Sequence, residues 1–70
     1  MRDLKAHLTF RNRANDALLC ETISYFIPDC GDHVRLRLVS KEFLDCWIYE
    51  RLFMFDENRV VLFVTLKGSV

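Results

Sequence analysis

Residues 32–43 read DHVRLRLVSKEF, and the structure that this stretch adopts decides the fold of the whole chain. Apolar residues and arginines alternate from Val34 to Leu38, which is typical of a half-buried β-strand. Asp32 directly before them is a good helix N-cap, because its carboxylate can accept a hydrogen bond from a free N–H of the first helical turn. The local pattern therefore leaves a strand and a short helix equally open.

The segment before this stretch has the period of an amphipathic helix. Asn15 or Asp16 can cap it, and Pro28 would end it because proline lacks a backbone N–H. Leu18 lies beside the apolar stripe and widens it. The stripe itself, with spacings of i, i+4, i+7 and i+8, consists of Leu19, Ile23, Phe26 and Ile27.

The segment after it also has helical spacing. Ser40 is a third candidate N-cap, and Glu42 and Asp45 in the first turn suit the positive end of a helix dipole. The apolar stripe at i, i+1, i+4 and i+5 consists of Phe43, Leu44, Trp47 and Ile48. We therefore expect a second helix here.

The two ends of the chain favour strands. Alternating apolar residues from Leu4 to Phe10 suit a short strand, although a helical turn stays open. A dense apolar run at 52–55 is followed by a turn at 56–58 and by a β-branched and aromatic run from Val60 to Leu66. Both faces of that last run are apolar, so it needs a further layer or another chain, and we expect self-association through it.

Composition narrows the function classes. The chain has 70 residues, ten basic and ten acidic, so its formal net charge is zero and a general nucleic-acid binder is not expected. The longest apolar run is far shorter than the roughly 20 residues that span a bilayer. Three cysteines without a CxxC pair, and no signal peptide, predict a cytoplasmic or nuclear protein with reduced thiols.

The sequence shows no motif for chemistry. Cys30 and His33 have a C-x-x-H spacing, but further ligands at zinc-finger spacing are missing. Phosphate loops, nucleophile elbows and metalloprotease motifs are absent as well. We therefore expect a protein that is not an enzyme, with no cofactor, no metal and no membrane partner.

Residues 15–26, a short loop and residues 34–43 together resemble the F-box family. The ungapped stretch LRLVSKEF at 36–43 carries the resemblance most clearly, and the similarity extends to Phe53. The resemblance implies a mainly α fold, a small orthogonal three-helix bundle with a short C-terminal β-strand or hairpin. It also implies that the segment from Val34 to Leu38 is helical. The implied organisation is an N-terminal extension at 1–14, the F-box-like domain at 15–53 and a strand-like tail at 54–70.

The function implied by the resemblance is protein–protein interaction. An F-box binds the Skp-type adaptor of a Skp–cullin–F-box ubiquitin ligase, and a separate domain recruits the substrate. Leu38 and Trp47 are expected in the core. The partner-binding residues implied by position are Leu18, Leu19, Ile23, Phe26, Ile27, Pro28, Val34, Leu36, Val39 and Phe43.

Two alternatives come from other classes of protein. One is a small self-associating α+β structural domain with no role in ubiquitin transfer, joined through the strand from Val60 to Leu66. The other is a helix-turn-helix nucleic-acid binder that uses Arg35 and Arg37, against which the zero net charge argues.

Overall fold

The protein is described by a computed structural model that covers residues 5–38 and 40–67. Its elements are five strands and a short 3₁₀ turn, and no α-helix occurs in the described ranges. The strands are β1 (Ala6–Asn12), β2 (Leu18–Ser24), β3 (His33–Arg37), β4 (Phe43–Met54) and β5 (Arg59–Leu66), with the 3₁₀ turn Phe55–Glu57 between β4 and β5.

All five strands form one mixed sheet with β5 at its centre. The strand order is β2-β1-β5-β4-β3. Strand β5 runs parallel to β1 and antiparallel to β4, so its backbone is hydrogen-bonded on both sides. Its side chains are apolar on both faces, and Leu62 and Val64 have no exposed surface. Each fully buried Val or Leu side chain contributes about 1.5–3 kcal/mol, which explains why this strand takes the central position.

The sheet curls around a single apolar core on its concave face. The side chains of this core alternate along each strand with those of the opposite, outer face. Two β-bulges, at Phe10/Arg11 in the β1–β2 pair and at Ile48/Glu50 in the β4–β5 pair, increase the bend. The core consists of Leu8, Phe10, Leu36, Cys46, Ile48, Val60, Leu62 and Val64.

The prediction of a mainly α three-helix bundle is wrong, because the residues taken as helix caps form turns between strands. The Asn12 side chain accepts a hydrogen bond from the N–H of Ala14, and the Asn15 side chain accepts one from Ala17. Asp16 has a positive φ of 61°. Asn and Asp favour such turns for the same reason that they favour caps, since their short side chains bond to nearby backbone groups.

The segment that decides the fold is a strand, and its alternating pattern was the correct signal. Leu36 is buried, while Arg35 and Arg37 beside it face solvent. Ser40 does not cap a helix, because Lys41 has a φ of 73° and donates its N–H to the carbonyl of Leu38 in a turn. The helical conformation implied for this segment by the F-box resemblance is therefore wrong.

Outward-facing aromatic residues explain the misleading helical period after residue 40. In β4, Cys46 and Ile48 face the core, whereas Phe43 and Trp47 lie on the outer face and are 62% and 39% exposed. The expectation that Trp47 belongs to the core is therefore wrong. Because apolar side chains occupy both faces of this strand, the pattern resembles a helical stripe rather than a strict alternation.

The strand predicted near the C-terminal end is present, and at the N-terminal end, where a strand and a helical turn were both open, the structure shows a strand. Ala6, Leu8 and Phe10 belong to β1, whereas Leu4 lies outside the described residues, and the run from Val60 to Leu66 forms most of β5. The predicted turn lies between β4 and β5, where Asn58 adopts the left-handed conformation with a φ of 51°. The inner face of β5 is covered within the same chain, because Val60, Leu62 and Val64 belong to the core of the curled sheet.

The central position of β5 predicts an unequal response to two matched substitutions. Leu62→Ala removes fully buried atoms, and we expect it to lower the free energy of unfolding by about 2–5 kcal/mol. Leu18→Ala removes the same atoms at a site that is 53% exposed, and we expect about 1 kcal/mol or less. Urea unfolding followed by circular dichroism measures both, and equal losses would contradict the described core.

Candidate functional site

A groove lies between the two edge strands, which are not hydrogen-bonded to each other. Its volume is about 440 Å³, within the range of small-molecule sites. We call it the β2–β3 groove. It is lined by Leu8 and Phe10 of β1, residues 20–24 of β2, Phe26 and Pro28 of the following loop, and residues 34–37 of β3.

The floor of the groove is apolar and belongs to the core. Leu8, Phe10 and Leu36 are buried there, and the partly buried Cys20 and Val34 pack against them. Burial raises the pKa of the Cys20 thiol, with a smaller contribution from the charge of Glu21. The floor therefore offers contact surface for apolar side chains and little chemical reactivity.

The β3 side of the groove presents unpaired backbone groups. Leu38 donates its N–H to the carbonyl of Glu42, and the carbonyl of Asp32 accepts a hydrogen bond from Ile48 of β4. Backbone groups alternate in direction along a strand, so the even-numbered residues from 32 to 38 point towards β4. The groups at the free edge then belong to His33, Arg35 and Arg37.

The β2 side of the groove presents a second set of backbone groups that are not bonded within the sheet. His7 and Arg13 donate their N–H groups to carbonyls of Asn58 and of β5, so the odd-numbered residues of β1 point away from β2. Leu8 and the other even-numbered residues point towards β2, where Thr22 is the register partner of Leu8 and faces back at it. The groups at the free edge of β2 belong to Glu21 and Ile23, and the Glu21 carbonyl also accepts a long, 3.9 Å hydrogen bond from the Cys20 thiol.

The loop between β2 and β3 is fixed at the rim of the groove. Arg51 of β4 lies 3.1 Å from the Asp29 carboxylate and 3.4 Å from the Pro28 carbonyl oxygen, to which it donates a hydrogen bond. Ile27 packs against the core. These contacts hold Phe26 at the groove with 75% of its surface exposed.

On the outer face next to β3, an ion pair fixes one arginine. The Arg35 guanidinium donates two hydrogen bonds to Asp45, of 2.8 and 3.3 Å. These bonds hold the pKa of the Asp45 carboxyl below its usual range and raise the pKa of Arg35. His33 lies 3.9 Å from the same carboxylate and stacks on Trp47 with ring centroids 5.0 Å apart.

A second polar network covers the outer face of β1, β2 and β5. Arg59 donates a 2.6 Å hydrogen bond to the hydroxyl of Thr9 and lies 3.2 Å from Glu21 and 3.5 Å from Glu57. Thr9 is only 3% exposed as a result. The network satisfies the charge of Glu21 from the outer face, so this carboxylate is not an unpaired charge at the groove.

The residues predicted for adaptor binding lie in different parts of the structure. Ile23, Phe26, Pro28, Val34 and Leu36 line the β2–β3 groove. Leu19 and Ile27 pack against the core, while Leu18 and Phe43 are exposed outside the groove. Val39 lies outside the described residues. The ten residues therefore do not form one helical docking surface.

Sequence reasoning missed the residues that contribute backbone rather than side chains. Glu21, Arg35 and Arg37 matter here through N–H and carbonyl groups at free strand edges, and no residue type marks such groups. The alternating patterns at 34–37 and at Leu4 to Phe10 left a strand and a helix open. Their position at an edge or next to it depends on the pairing of the whole sheet, which no local pattern gives.

Within 5–38 and 40–67, no three metal-ligating side chains come together. The same ranges contain no helix that is long and apolar enough to cross a membrane. Comparison of the chain with protein-family models, with curated proteins and with solved structures finds no match in any of the three.

The three free thiols predict a ranking in alkylation. Cys30 is exposed, Cys20 is partly buried, and Cys46 is fully buried with its pKa raised by burial to about 11. Because only the thiolate reacts, we expect Cys30 to react first with iodoacetamide at pH 8, then Cys20, and Cys46 only after unfolding. Mass spectrometry of the digested protein gives the order, and rapid modification of Cys46 in the folded state would contradict the structure.

Proposed function

We propose that this chain is a protein-interaction module that binds an extended peptide segment in the β2–β3 groove as an added β-strand. One observation carries the proposal: two strand edges with free backbone groups border the same apolar groove. In β-strand addition, main-chain hydrogen bonds supply affinity and alternate side chains enter pockets, which supply specificity. The groove offers both elements.

The chain directions of β2 and β3, the strands on either side of the groove, define how a peptide fits. Strand β2 is antiparallel to β1, β1 is parallel to β5, and β5 and β3 are each antiparallel to β4. It follows that β2 and β3 run in opposite directions. A peptide strand placed between them pairs parallel to one of these strands and antiparallel to the other. Because side chains alternate along a strand, every second residue of the peptide faces the floor of the groove.

An apolar side chain on each floor-facing residue of the peptide matches the apolar floor. Leu8, Phe10 and Leu36 provide that floor, and Phe26 at the rim exposes a large aromatic ring to which a bound segment can add contacts. An exposed aromatic ring at the edge of a groove is a common anchor for a partner.

Two earlier expectations stay predictions without support from a specific contact. Binding to the Skp-type adaptor was inferred from helical anchors, and the chain presents those residues on strands and a loop. Self-association through the strand from Val60 to Leu66 was inferred from its two apolar faces, and the inner face of this strand belongs to the core of the same chain. A cytoplasmic or nuclear location likewise stays a proposal, for which the three free cysteines are the support.

Amide hydrogen exchange tests the proposal residue by residue. In the free protein we expect fast exchange at Glu21, Ile23, Arg35 and Arg37, whose N–H groups face the groove, and slow exchange at Thr22 and Leu36, which are bonded within the sheet. A seven-residue peptide with Val at alternate positions is the probe. Its addition should slow exchange at the first set selectively, and no change at those amides with any such peptide would contradict strand addition.

A pair of variants separates the backbone from the side chain. Ile23→Pro removes the N–H at the free edge, where proline is tolerated, and Ile23→Ala shortens the side chain but keeps the N–H. We expect Ile23→Pro to weaken peptide binding more than Ile23→Ala in a fluorescence titration, with both variants folded by circular dichroism. Equal binding by the two variants would show that the β2 edge does not pair with the peptide.

A further inference from the structure

We propose, on the basis of the peptide binding above, that the preferred segment carries acidic residues on the side facing away from the groove floor, and that Arg37 recognises them. Three charged residues line the groove. These are Glu21, Arg35 and Arg37.

Two of the three charges already have partners. Glu21 lies 3.2 Å from Arg59 and accepts a 3.4 Å hydrogen bond from Thr9. Arg35 is held by two hydrogen bonds to Asp45. Because opposite charges at these distances largely cancel in their effect on a third charge, neither residue dominates the field at the groove.

Arg37 is different, since no carboxylate among the described residues forms an ion pair with it. Its guanidinium lies 5.7 Å from the ring centroid of Phe43, its cross-strand partner on β4. At this distance the ring does not engage the N–H groups of the guanidinium, and these are the groups that bind a carboxylate with two parallel hydrogen bonds.

The geometry of an added strand places peptide side chains beside Arg37. Directly opposed residues of neighbouring strands lie on the same face of a sheet, and Arg37 shares the outer face with Phe43. The peptide residues that face away from the floor are therefore the neighbours of this arginine. A peptide that alternates apolar and acidic residues satisfies the floor and Arg37 together.

Three matched peptides test this assignment. Each has seven residues with Val at the odd positions, and the even positions carry Glu, Gln or Lys. Opposite charges across strands contribute about 0.2–1 kcal/mol, so we expect the Glu peptide to bind up to about fivefold more tightly than the Gln peptide, with the Lys peptide weakest. Fluorescence titration at low and high salt measures the preference, which should shrink at high salt.

Arg37→Gln should remove the preference for Glu over Gln. Arg13→Gln is the control, because it removes the same charge from a residue that stacks on Tyr49 at 3.9 Å and does not line the groove. Equal binding of the Glu and Gln peptides to the unaltered protein would overturn this inference and leave the groove proposal standing. A preference that survives Arg37→Gln would overturn the role of Arg37, and failure of all three peptides to bind would overturn both proposals.

Discussion

The pairing of β5 with β1 on one side and β4 on the other is the constraint on which the whole structure depends. A strand that is apolar on both faces is stable in water only where neighbours and a core cover it. By bonding to β1, β5 brings the first and last parts of the chain together, and 53 residues separate the hydrogen-bonded Lys5 and Asn58 at one end of this pair. Loss of this pairing would separate the β1–β2 hairpin from the rest of the sheet.

The position of the central strand also determines which strands have an unpaired edge. With β5, β1 and β4 in the middle, the edges must be β2 and β3, and the curl of the sheet turns both towards one apolar groove. Unpaired edges favour aggregation, and charged side chains on edge strands oppose it. Here Glu21, Arg35 and Arg37 lie at the edges, and two of them are held in ion pairs on the outer face. The charged side chains thus oppose aggregation through the edge strands, while the groove floor is free to contact an apolar partner.

Part of this fold could be predicted from the sequence and part could not. The β-branched run from Val60 to Leu66 predicted a strand, because that pattern comes directly from burial on a pleated surface. The alternation from Val34 to Leu38 left a strand and a short helix open, and the structure shows the strand His33–Arg37 there. The candidate helix caps at Asn15, Asp32 and Ser40 led to a wrong prediction of helices, because the same residue types also form turns between strands. The F-box resemblance then favoured the helical alternative at the one segment where local pattern left the choice open. The groove itself could not be predicted, because its key groups are backbone atoms whose exposure depends on the strand order.

The most direct test of this account is the pattern of backbone nuclear Overhauser effects across the sheet. We expect contacts between Thr9 and Val61 in the parallel β1–β5 pair and between Leu36 and Leu44 in the β3–β4 pair, with none between β2 and β3. Direct contacts between backbone protons of β2 and β3 would show that the sheet closes and that no peptide can enter. Successive amide contacts of helical type along residues 43–51 would contradict the fold itself.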